Sequence, residues 1–285
     1  MGESNAPVET YTADILYGET PLITANELLD ALRERVGTVE AEAGTVPGAF
    51  LFTFTDLADP SREGGQPVGV FIERGDGPLP PDEVKRVLAM TRDWSGAGNA
   101  VNSHEARLVV SDLRASGLSY KNRLRIFQDV VGAIAACATP LAIRWTPAGK
   151  FVNPLQMTRA AKPGEKRDPL AGALNIRLTP PPAGTSARMV MDTVGFHALG
   201  LPDLEILIRL ENPRNVEPFL LSIARYVFDL GDVLPDGRVV KGPAGDRWII
   251  KRGRASNVPS REVLTLRPAD DVAPTGNTIV ARPRP

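Results

Sequence analysis

Residues 24–37 read Thr24-Ala25-Asn26-Glu27-Leu28-Leu29-Asp30-Ala31-Leu32-Arg33-Glu34-Arg35-Val36-Gly37. Thr24 and Glu27 have capping-box spacing, in which the hydroxyl takes an orphan backbone N–H and the carboxylate reaches back. Leu28, Leu29, Leu32 and Val36 recur on one helical face, and Gly37 supplies the stop. The runs around this helix have a different period. Tyr11 to Tyr17 reads as a short strand, and Ala49 to Thr55 and Val68 to Glu73 as strands joined by the loop Asp59 to Gln66. Helical and extended periods interleaved in one stretch predict an α+β fold.

Outward from that stretch, Pro80 and Pro81 open a second helix, where a missing N–H costs little, and Asp82 and Glu83 suit its positive end. Its stripe is Val84, Val87, Leu88 and a terminal Trp94, and Glu105 to Val110 follows as a strand. Residues 11–112 thus read β-α-β-β-α-β, the order of a ferredoxin-like split sandwich. Ser119 caps a helix bearing Leu124, Phe127, Val131 and Ile134 that reaches about Cys137, and Leu141 to Trp145 is a strand.

The charged, Pro-containing run Lys162 to Pro169 marks a linker. The expected organisation is a flexible start at 1–8, an α+β domain at 9–161, a linker at 162–170, a second α+β domain at 171–268 and a disordered tail at 269–285. The second domain is expected to be mostly antiparallel, with strands at Ala173 to Leu178, Arg188 to Val194, Leu204 to Leu210, Val239-Val240, Arg247 to Lys251 and Val263 to Leu266. Its main helix is Asn215 to Leu230, whose buried face is Val216, Phe219, Leu220, Ile223 and Val227 and whose end is Gly231.

Composition narrows the function classes. The 285 residues are 42% hydrophobic and 24% charged, with a formal net charge of -1. That balance gives no general electrostatic pull toward nucleic acid or an anionic membrane, so neither partner is expected. The single cysteine, Cys137, excludes an intramolecular disulfide and a Cys-rich zinc site. No metal and no cofactor is expected. The polar start lacks a basic region followed by an apolar run, and no stretch approaches a membrane span, so the expected location is the cytoplasm.

The chain has two histidines. His104 lies at the head of a strand in Ser103-His104-Glu105, and alternation sends His104 and Glu105 to opposite faces. His104 is either an acid–base group paired with a distant carboxylate or a strand-end histidine bonded to backbone. His197 lies in Asp192-Thr193-Val194-Gly195-Phe196-His197-Ala198-Leu199-Gly200-Leu201-Pro202-Asp203-Leu204-Glu205. Two glycines and a proline there predict a tightly shaped, ordered turn. In the binding reading His197, Asp203 and Glu205 surround a pocket; in the structural reading the segment only joins two strands. The ligand spacing of a metal site is absent, as are a nucleophile elbow, a Walker loop and a dinucleotide fingerprint. Lys241, Arg247, Lys251, Arg252, Arg254 and Arg261 cluster around Trp248, as a nucleic-acid surface would, although such charges also decorate solvated sheet faces and edges.

The run Asp192 to Ile206 resembles the bacterial family catalogued as domain of unknown function 4261. Arg225-Tyr226-Val227, the turn Val233-Leu234-Pro235-Asp236-Gly237, and the Pro-rich helix start with Trp94 and His104 beyond it are similar to it too. The resemblance covers roughly residues 45–250, and Arg144-Trp145-Thr146 departs from the family's glycine-containing aromatic strand. It implies an α+β fold and a bacterial source, and it carries over no activity and no catalytic residue. The expected function is a non-catalytic binding or protein-interaction module, immunity-like in kind, with a protein partner of unknown identity. The alternative is an enzyme or small-molecule binder with a pocket near His104 and His197.

Overall fold

A computed structural model describes residues 7, 8, 10–42, 48–58, 66–160, 168–181, 183–184, 187–209 and 213–269. The elements in chain order are β1 (Thr12–Tyr17), α1 (Ala25–Val36), β2 (Val39–Glu42), β3 (Phe50–Ala58), β4 (Pro67–Arg74), α2 (Pro81–Met90), α3 (Ala97–Val101), β5 (Ala106–Leu113), α4 (Tyr120–Cys137), β6 (Ala142–Trp145), β7 (Lys150–Val152) and α5 (Pro154–Ala160). There follow β8 (Asn175–Thr179), β9 (Met189–Val194), a 3-10 turn (Phe196–Leu199), β10 (Asp203–Ile208), α6 (Pro213–Leu230), β11 (Val239–Lys241), β12 (Arg247–Arg254) and β13 (Glu262–Pro268). The fold is α+β with two mostly antiparallel sheets.

The first sheet has seven strands in the order β2-β3-β4-β5-β1-β6-β7. Alternation along β1 divides its side chains between two helical layers. Tyr11 meets Phe127 of α4 and Trp145 of β6 edge to face, with ring centroids at 5.1 and 6.1 Å. Leu16 points the other way and packs with Leu79, Val84, Val87, Ala97, Val101, Ala142 and Phe151 beneath α2 and α3. The capping box at Thr24 and Glu27 is present, and α1 packs on α4.

Three expectations change here. The ferredoxin-like pairing is not what the first sheet has. A split βαβ needs two parallel strands with a third between them, whereas β4 and β5, joined through α2 and α3, are adjacent and antiparallel. β2 adds a strand that four residues were too short to announce, pairing Val39 with Phe54. Trp94 lies beyond the end of α2. The hydroxyl of Thr91 bonds back to the Val87 carbonyl at 2.9 Å and accepts the Phe151 N–H at 3.0 Å, which ends the helix at Met90 and ties it to β7.

The second sheet has six strands in the order β11-β12-β13-β10-β9-β8, with β10 and β13 parallel. α6 lays Val216, Phe219, Leu220, Ala224, Val227 and Phe228 on its core side, and Phe219 meets Trp248 of β12 at 5.3 Å between centroids. Ile223, expected on that face, is only half-buried, because Ala224 and Phe228 carry the contact one residue round the helix.

The chain divides into two compact units, Met1–Arg177 with Thr193–Pro202, and Leu178–Asp192 with Asp203–Pro285. Of the expected linker at 162–170, residues 162–167 lie outside the described residues. At its carboxy-terminal end the Gln128 amide on α4 donates to the carbonyls of Pro169 at 3.2 Å and Ala171 at 2.9 Å. Residues 1–6 of the expected flexible start, the loop at 59–65 and residues 270–285 of the expected tail also lie outside the described residues. Among the described residues no helix is long and apolar enough to cross a membrane.

Candidate functional site

The densest sequence pattern, Asp192 to Glu205, forms the end of β9, the 3-10 turn and the start of β10. Gly195 has φ 132° and Gly200 φ 78°, the two conformations a side chain resists. A Cβ at Gly195 would stand 1.9 Å from the Ala173 carbonyl oxygen, so that glycine is required by close backbone approach as well. The Gly200 N–H closes the turn onto the His197 carbonyl at 3.1 Å, and the Leu201 N–H onto Phe196 at 3.1 Å.

Alternation then places the acids. Asp203 and Glu205 sit two apart on β10, and Asp192 on β9 lies opposite Glu205, so all three carboxylates share one sheet face. Leu204 and Ile206 turn to the other face, in register with Leu264 and Leu266. Asp192, Asp203 and Glu205 are fully buried.

Buried carboxylates need donors, and the loop from β12 to β13 supplies them. Arg261, itself buried, donates Nη2–H to Asp192 Oδ2 at 2.7 Å and Nε–H to Asp203 Oδ2 at 3.1 Å. Its Nη1 donates to the carbonyls of Pro259 at 2.8 Å and Asn257 at 3.3 Å. Glu205 accepts the Ser256 N–H at 2.7 Å and its hydroxyl at 2.8 Å. The Asn257 amide donates to Thr179 Oγ1 at 2.7 Å. The acids therefore hold a seven-residue loop, Ala255–Arg261, in one conformation. Chemically the set is a satisfied ion and hydrogen-bond network. Its carboxylate oxygens face donors of this chain, and among the described residues no group of His, Cys, Asp and Glu side chains is arranged to hold a metal.

The histidines are held separately. His104 is buried just ahead of β5, where its Nε2 accepts the Leu79 N–H at 2.8 Å and its Nδ1 donates to the Val101 carbonyl. Those two bonds fix the tautomer and clip the lead into α2 onto the end of α3. His197 is half-buried on the 3-10 turn. Asp203 and Glu205, the other two residues singled out in the sequence, are thus brought together with Asp192 and Arg261, while His104 is engaged by backbone.

Residues 192–267 match the family model described as Domain of unknown function (DUF4261). No curated protein and no solved structure matches the chain. The DUF4261 stretch is narrower than the expected 45–250 on its amino-terminal side, leaving the α2 region and Arg144-Trp145-Thr146 outside it, and it runs on past residue 250 to take in Arg261. It contains the three carboxylates and their guanidinium, and a second strapped loop besides.

That second DUF4261 loop is the Val233–Gly237 turn. Asp236 Oδ1 accepts the Arg252 N–H at 2.9 Å, the Gly237 N–H bonds to the Ile250 carbonyl at 2.8 Å, and the Arg252 guanidinium pairs with Asp232 and with Glu262, the latter at 2.6 Å. The Arg252 N–H, followed by Lys251 at 3.3 Å, holds the Asp236 carboxyl below its usual range, and the bond to Asp232 raises Arg252 further above its own. Three members of the basic cluster, Lys251, Arg252 and Arg261, are thus engaged by acids of this chain. Trp248 is buried and donates Nε1–H to Asp246 at 2.7 Å, which removes it as a stacking platform. Lys241, Arg247 and Arg254 are exposed.

Sequence reasoning missed Arg261 as a partner of the acids, together with Ser256 and Asn257. A signal existed: two acids at alternate positions of an otherwise apolar strand require a buried cation or donor. In the first unit it missed Arg123, which grips Asp112 at 2.6 and 3.0 Å and donates to the Val8 carbonyl at 2.7 Å, beside an apolar cleft lined by Phe54, Val68, Leu118, Ile126 and Phe127. Cys137 donates to the Glu27 carbonyl at 3.6 Å, and burial pushes its thiol up, away from the thiolate a nucleophile needs.

Proposed function

We propose that this is a non-catalytic binding or protein-interaction module of the cytoplasm, in which the DUF4261 stretch is a scaffold that fixes loop shape. What carries the reading is the engagement of the side chains that chemistry would need. Asp192, Asp203 and Glu205 face Arg261 and Ser256, and both ring nitrogens of His104 face backbone groups. A general base must have a free lone pair within reach of a substrate proton, and using one of these groups would break the bond that holds a loop. Loops held in this way on a rigid sheet are the segments on which recognition is built. His197, half-buried on the 3-10 turn between β9 and β10, is the histidine within the DUF4261 stretch, so it is the residue on which the two readings part.

The experiment compares the intact chain with His197→Ala and His104→Gln. Each is incubated with a metabolite extract of the source organism, and each is used in affinity capture from the same cells. The expected result is that no metabolite is consumed and that a protein partner is retained in stoichiometric amount by the intact chain. Consumption of a metabolite that is lost in either histidine variant would replace this reading with the enzymatic one.

A further inference from the structure

The chain leaves the second unit after Asp192 and returns to it at Asp203, with Thr193–Pro202 counted in the first unit. These two boundary residues are the carboxylates that share Arg261. One guanidinium therefore closes the neck of the excursion. The same guanidinium holds the Asn257 and Pro259 carbonyls of the loop that precedes it.

We propose that Arg261 is a clasp that makes the Ala255–Arg261 loop and the Asp192/Asp203 neck one cooperative element. The loop is ordered only while the neck is closed, and the neck stays closed only while the loop is in place. The physical basis lies in what each half loses when the other moves. If the loop lifts, it carries away a cation from two fully buried carboxylates, and removing one partner of a buried ion pair is strongly unfavourable. If the strand ends part, Arg261 cannot reach both carboxylates, and the two loop carbonyls lose a fixed donor. The Glu205–Ser256 bonds add a second anchor one register step along the same sheet face. Val258, Pro259 and Ser260 stand exposed at the loop's crest, so what the clasp governs is the shape of an exposed surface. This coupling does not depend on what the surface binds.

Hydrogen–deuterium exchange on the full chain tests it by changing one side and reading the other. Arg261→Gln alters the loop side, and the readout is the Ala198, Gly200 and Leu201 amides of the turn. Ser256→Ala is the milder loop-side variant, used if Arg261→Gln does not fold. Asp203→Asn, close in shape, alters the neck side; so does Gly195→Ala, whose Cβ would displace the turn. For these two the readout is the Ala255 and Ser256 amides, which bond to the Arg261 carbonyl and to Glu205. Coupling is reciprocal in free energy, so exchange on the unaltered side is expected to rise about tenfold or more in both directions, as for a local opening made easier. Exchange that rises only on the altered side, with the other side as protected as in the unaltered chain, overturns the proposal.

Discussion

Gly200 precedes Leu201-Pro202 at the crossing from β9 to β10, where the 3-10 turn ends in a left-handed residue. The structure puts it at φ 78°. A β-branched side chain strains that conformation, and Gly200→Val is expected to destabilise the protein by more than about 1 kcal/mol. A urea unfolding series, with the midpoint falling and the slope unchanged, is the check; an unchanged midpoint would mean the turn can relax at no cost. Other residues were legible in type but not in role. Asp203 and Glu205 stand out in the sequence, yet their partner lies at Arg261, 58 residues beyond Asp203. His104 finds its acceptor role at Leu79, 25 residues earlier. Nothing local announces such bonds, since they depend on which strands become neighbours.

Elements were more legible than their partners, because caps and periodicity are local. The helix α6 shows this. Its apolar stripe fixed which side faces the sheet, and the one error, Ile223, is a displacement by a single position round the helix. Phe219 fills the space over Trp248, and Phe219→Ala is expected to cost about 3–5 kcal/mol, against a smaller loss for Ile223→Ala at its half-buried site. Chemical unfolding of both variants ranks them, and equal losses would contradict the placement. The strapped turn carries a pH signature at the same scale. Asp236 is depressed by the Arg252 N–H. A carboxyl with a lowered folded value contributes stability that is fully present above its unfolded value of about 3.9 and is lost as pH falls through the folded one. The stability difference between the unaltered chain and Asp236→Asn is therefore expected to be flat from about pH 6 to pH 5 and to narrow below about pH 4. Added salt shrinks it, because the group is exposed. A difference that widens on acidification would reverse the sign of the argument.

At the scale of the whole molecule, fold class was legible and topology was not. The mixture of periods gave α+β, but the strand order of the first sheet places β5 beside β1, pairing Thr12 with Ser111, and no local pattern encodes a pairing across so much chain. The same holds for Thr193–Pro202, which belongs to the first unit and whose Ala198 carbonyl accepts the Val8 N–H. What the molecule as a whole does declare is how its polar core is satisfied. Asp112 is gripped by Arg123, Asp14 by Arg144 at 2.6 Å, and Asp192 and Asp203 by Arg261. In each case a guanidinium is the counter-charge to a buried carboxylate. A structural metal contributes folding free energy, and chelation removes it; a guanidinium cannot be chelated. Thermal unfolding with and without an excess of a strong chelator is therefore expected to give the same Tm, whereas Arg261→Met, which strips the cation from two buried acids, is expected to cost about 3–5 kcal/mol. A fall in Tm on adding chelator alone would show that a metal, and not these arginines, holds part of the core together.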